Sequence, residues 1–149
     1  MFLKVKIENY LLPLIIFLAI STRLLVSSFQ IDWDEEVYWW AGKLWFDGRL
    51  PYVSIFDHKP ALIYFLNGIF SELGIEFYRA FFGIALLLVF YFVAKLIHSG
   101  SGALISTASF SLFFAMPGGM LGVNTEVAYL LFELASIFFF CAAPHILQH

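Results

Sequence analysis

The chain has 149 residues, of which 62% are hydrophobic and only 13% charged, with 19 phenylalanines and a mean hydropathy of +0.88. Soluble domains run at about 45 to 50% apolar, so the composition excludes an ordinary water-soluble globule and points to a membrane protein. A net charge of -3, with eight scattered Lys and Arg, argues against a nucleic-acid partner, and the single cysteine, Cys141 in an apolar run, leaves no disulfide framework or thiolate metal site.

The first element is the apolar run from Leu11 to Ile31. Twenty-one residues at about 1.5 Å each reach across a hydrocarbon core of roughly 30 Å. A signal peptide competes for the same residues because Lys4 and Lys6 precede them, but Leu25-Val26-Ser27-Ser28-Phe29 is a poor cleavage site, and a retained transmembrane helix is expected. Residues 32 to 79 form a long loop. Its first part, 32 to 59, holds nine of the 19 charged residues and all four tryptophans, Trp33, Trp39, Trp40 and Trp45. Tryptophan favours the membrane-water interface. Asp32 and Glu35 resemble a capping pair, and Val37, Trp40, Ala41 and Leu44 recur at helical spacing, which predicts an amphipathic interfacial helix over Trp33 to Phe46, stopped by Asp47-Gly48. A second short helix is expected from Pro60 to Glu72, interfacial or re-entrant, with proline in its first turn.

Three more spans follow. Ala80 to Ile97 ends at Lys95, His98 and a Ser-Gly-Ser-Gly turn; Ala103 to Met116 ends at Pro117-Gly118-Gly119; Val127 to Ala143 closes at Pro144. The predicted fold class is therefore all-α, with about four transmembrane helices and an outer-face loop that carries the interfacial helices. The positive-inside rule, applied to the short loops, puts the termini and the 98 to 102 turn in the cytoplasm and the acidic loop outside. With four spans, the 32 to 79 loop and the 117 to 126 turn emerge on one face, where Asp34, His58, Lys59 and Glu126 can share a site.

Several short motifs stand in order along the chain: Asp34-Glu35 with Tyr38 three residues on, Gly48-Arg49-Leu50-Pro51-Tyr52, Asp57-His58-Lys59-Pro60, Tyr78-Arg79 and Asn124-Thr125-Glu126. In that order and spacing they resemble the N-terminal part of the integral membrane glycosyltransferases of GT-C fold, the protein O-mannosyltransferase and aminoarabinose-transferase-like group. One element departs from the pattern, since Pro60 is followed by Ala61 rather than a second proline. The resemblance implies that the acidic pair Asp34 and Glu35 supplies the catalytic carboxylate and that the sugar donor is a polyprenyl phosphate. Members of that group are much longer, with many more spans, so the resemblance also implies a partial chain that is inactive alone.

The chemistry asks for the same residue types. Transfer of a sugar to a hydroxyl needs a carboxylate that accepts the acceptor's proton, and Asp34 is the candidate. Capping of the helix N-terminus is the competing role for the acids. Glu35 is a neighbouring support or a contact to a divalent metal ion, and Glu36 a solvated charge. A leaving phosphate is stabilised by cations, for which Lys59 and Arg79 are candidates, with snorkelling to headgroups as their other role. His58 is a phosphate or divalent-ion contact or a solvated loop residue. Glu126 is either a second acidic position facing Asp34 or an acid at the start of the last helix, capped by Asn124 or Thr125. Arg23 and Glu133 lie within spans and need partners: Arg23 through the acidic loop, Glu133 through a helix from elsewhere. The partners implied are membrane lipids, the lipid-linked sugar and a hydroxyl acceptor on protein or glycolipid. The alternative is a small accessory protein without catalysis, its apolar faces covered by a partner membrane protein. Transport ranks last, since no paired broken helices recur.

Overall fold

A computed structural model describes residues 8–27, 33–50, 52–53, 59–115 and 125–146. Among these every regular element is an α-helix: α1 (Glu8–Ser27), α2 (Trp33–Phe46), α3 (Ala61–Phe70), α4 (Ile75–Ile97), α5 (Gly100–Ala115) and α6 (Thr125–Ile146).

The helix ends follow local chemistry. In α2, Asp34, Glu35 and Glu36 occupy the first turn and Lys43 the last, which matches both poles of the helix dipole. It stops at Gly48, whose φ of 87° suits glycine, and the amides of Asp47, Gly48 and Arg49 donate to the carbonyls of Lys43, Trp45 and Leu44. Pro60 precedes α3, and Gly74, with φ of 90°, separates α3 from α4. Helix α4 begins at Ile75, earlier than the expected Ala80, because the charge of Arg79 is neutralised by carboxylates and does not interrupt the helix. Helix α6 passes through Pro144 to Ile146.

Helix α4 is the central element, packed against α1, α5 and α6, while α1 also packs on α5 and α2 on α3. One core cluster joins Ala19 and Ile20 of α1, Tyr78, Phe82, Leu86 and Leu87 of α4, Phe114 of α5 and Val127 of α6. A second joins Tyr91 and Ala94 of α4 with Ala103 and Leu104 of α5, against Leu12 and Ile15 of α1. So α1 and α5 end, and α4 and α6 begin, at the same end of the bundle. The α2–α3 pair attaches at that end: Tyr38, Ala41, Ile63 and Tyr64 are buried together with Ala128 of α6.

Among the described residues two helices are long and apolar enough to cross a membrane, Asn9–Ser27 within α1 and Ile75–Ile97. The sequence predicts four. The apolar helix Gly100–Ala115 and the apolar stretch Val127–Cys141 of α6 are shorter. The two long stretches are 22% and 33% buried, so most of their apolar surface faces outward. Hydroxyls on the apolar helices bond to their own backbone: Ser27 to Leu24, Thr107 to Ala103, Ser111 to Ala108 and Ser136 to Phe132, at 2.8 to 3.0 Å. Such internal satisfaction is what a low-dielectric surrounding requires.

Candidate functional site

The acidic first turn of α2 meets the first turns of α4, and neighbouring residues there face opposite ways. Successive residues on an α-helix are about 100° apart. Glu35 turns inward and is fully buried, whereas Asp34 is exposed and Glu36 half-buried. Arg79 Nε donates to Glu35 Oε2 at 2.8 Å and its Nη2 lies 2.6 Å from the same oxygen. Its third nitrogen, Nη1, donates to Glu76 Oε1 at 2.9 Å, one turn earlier on α4. One guanidinium thus serves two carboxylates, and the three groups together carry an excess negative charge.

Around this pair the contacts are aromatic and polar. Tyr78, fully buried, lies 5.8 Å from Trp39 and 4.8 Å from Phe82, ring to ring. Asn67 of α3, also fully buried, donates through Nδ2 to the carbonyl of Ile63 at 2.8 Å and to the hydroxyl of Tyr78 at 3.1 Å. Arg23 is buried at the end of α1 with its guanidinium 4.0 Å above the ring of Phe114. Helices α2 and α3 cross backbone to backbone: a Cβ on Gly42 would strike the carbonyl of Tyr64 and the amide of Gly68, and a Cβ on Gly68 would strike the ring of Phe46.

The structure therefore joins Glu35 to Arg79 and leaves the carboxylate of Asp34 at the surface beside them. Arg79, expected at the donor phosphate, directs its donors at Glu35 and Glu76. Lys59 is half-buried, and its carbonyl accepts from Tyr52 Oη at 2.5 Å; Tyr52 has φ of 66°, a left-handed conformation unusual for a tyrosine. Its ring meets that of Tyr64 edge-on. Asp32, His58 and Asn124, and the side chains of Thr125 and Glu126, lie outside the described residues. Among the described residues no three His, Cys, Asp or Glu side chains gather where they could hold a metal ion.

Asn67, Gly42 and Gly68 are site residues that the sequence does not single out, and Tyr78 enters only as part of the Tyr78-Arg79 motif. Glycine inside a helical pattern signals a packing reason, and that signal was present at Gly42 and Gly68. Comparison with family models, with curated proteins and with solved structures finds no match for this chain.

Proposed function

We propose that the chain is a membrane-embedded helical protein and the N-terminal part of a glycosyltransferase that moves a sugar from a polyprenyl phosphate to a hydroxyl on the outer face of the membrane. Asp34 accepts the acceptor's proton. The observation that carries this reading is the division of the acidic pair: Glu35 is buried against Arg79, while Asp34 beside it is exposed and so accessible to a substrate. A carboxylate held in place by its neighbour's ion pair, yet itself open, suits a general base. The ordered motifs from Asp34-Glu35 to Tyr78-Arg79 support the same reading. Lys59 is then the cation for the donor phosphate, because Arg79 is already committed to two carboxylates.

Crossing by four helices belongs to this proposal. Helix α6, with 22 residues, reaches about 33 Å, and α5, with 16, about 24 Å; the shorter one crosses with local thinning of the bilayer. Membrane embedding is supported by the exposure of Phe17, Leu18, Ile105, Leu112, Phe139 and Phe140, each more than half exposed.

The test uses the whole transferase of which the chain is proposed to be the N-terminal part, reconstituted in liposomes with a radiolabelled polyprenyl-phosphate sugar and a hydroxyl acceptor. Transfer is expected to drop by about 10²- to 10⁴-fold in Asp34→Asn, the usual contribution of a general base. Equal transfer by wild type and Asp34→Asn removes Asp34 from the chemistry. Because the chain is proposed to be inactive alone, retention of labelled donor on it in nanodiscs gives a second readout. Retention is expected to fall in Lys59→Ala; retention no higher than on empty nanodiscs removes the donor assignment.

A further inference from the structure

Helix α6 turns one side to α4, with Val127 and Ala128 buried and Phe138 against Phe92. Among the described residues its other side is largely uncovered, with α3 reaching only the edge at Tyr129 and Phe132. Tyr129, Phe132, Ile137 and Phe140 are exposed there, at the spacing of one helix face. Glu133 stands exposed in the middle of this stripe, and no described residue pairs with it. Ser136, one turn further, spends its hydroxyl on the carbonyl of Phe132. The face is therefore apolar and aromatic around one carboxylate, which lies about 12 Å along the helix from Thr125.

An ionisable group inside a membrane is expensive unless it meets a partner. Among the described residues the chain's own cations do not reach this one. Arg23 and Arg79 are buried elsewhere, and Lys95 stands about 30 Å along α4 from the end where α6 also begins, so a second copy in the same orientation brings it no nearer than about 18 Å in depth. Two copies meeting symmetrically through α6 set Glu133 against Glu133. We propose that this face of α6 is a docking surface for a transmembrane helix from outside these 149 residues that presents an arginine or lysine at the depth of Glu133. The inference rests on the membrane-embedded part of the proposed function and not on the transferase chemistry.

Cys141, the single cysteine, is exposed and available for a fluorescent donor. The labelled chain is reconstituted in phosphatidylcholine vesicles with an acceptor-labelled leucine-rich transmembrane peptide carrying one arginine at the matching depth, or leucine instead. Energy transfer should show the arginine peptide binding roughly 5- to 30-fold more tightly than the leucine peptide, the range of interhelical polar contacts, and Glu133→Leu should abolish the difference. Equal binding of the two peptides, or a preference that survives Glu133→Leu, overturns the proposal. Glu133-dependent energy transfer between copies of the chain overturns it in favour of self-association. Carbonate washing separates the two readings: a chain stripped from the vesicles refutes membrane embedding and docking together, while a resistant chain that ignores the arginine refutes docking alone.

Discussion

Arg79→Met is the substitution that asks most of the ion pair between α2 and α4. It leaves Glu35, whose side chain is 0% exposed, without the guanidinium that now holds it through contacts of 2.6 and 2.8 Å. Breaking a buried pair by removing one member costs about 3–5 kcal/mol, a large share of the roughly 5–15 kcal/mol that stabilises a folded domain. The other carboxylate on Arg79 makes an internal control. Glu76 is 57% exposed, so Glu76→Gln should cost no more than about 1 kcal/mol. Arg79→Lys keeps the charge but loses the planar fork and should fall between the two. Combining Arg79→Met with Glu35→Leu removes both buried charges and should recover most of the loss. Thermal unfolding in detergent, followed by circular dichroism, ranks the four variants, and hydrogen exchange of the α2 amides locates the effect. The reasoning fails if Arg79→Met is no worse than Glu76→Gln, or if the double variant is no more stable than Arg79→Met.

Three further outcomes follow from the packing. Gly42→Ala gains helix propensity of about 1 kcal/mol but drives a methyl into the backbone of α3, so a net loss of about 1–2 kcal/mol is expected; a variant as stable as wild type would mean that α2 and α3 do not cross at Gly42 and Gly68. Phe114→Leu removes both the ring under Arg23 and buried volume, and should cost about 2–3 kcal/mol in thermal unfolding, more than Phe110→Leu, whose ring stacks on Phe90 and Phe114 but is only partly buried and lies under no cation. In vesicles with brominated lipid, tryptophan quenching should fall sharply in Trp40→Phe, which removes an exposed indole, and little in Trp39→Phe, which removes one packed on Tyr78; the reverse order would turn the outer face of α2 away from lipid.

How much of this was legible in the sequence depends on whether the signal was local. The limits of α2 were, because its acids, Lys43 and the Asp47-Gly48 stop all lie within a turn of its ends. The start of α4 was not. Arg79 looks like the edge of an apolar run until its partner, 44 positions earlier, is known. Which face of α2 packs inside the protein was not legible for a related reason. Valine and tryptophan outweigh tyrosine and glycine on any hydrophobic scale, so Val37 and Trp40 mark the core face by composition, yet Glu35, Tyr38, Ala41 and Gly42 are the buried residues. What decides is the close approach that Gly42 permits to α3. Once Gly42 is set against Gly68, the helical repeat puts Tyr38 one turn back and Glu35 nearly two, on the same side. A carboxylate carried inward by that crossing needs a buried cation, and Arg79 supplies it. The same repeat rotates Asp34 about 100° away, out of reach of Arg79. The two acids thus receive different fates from a glycine seven residues downstream of Glu35, and a residue's role in chemistry here is set by where its helix is pressed closest, not by the chemistry of its own side chain.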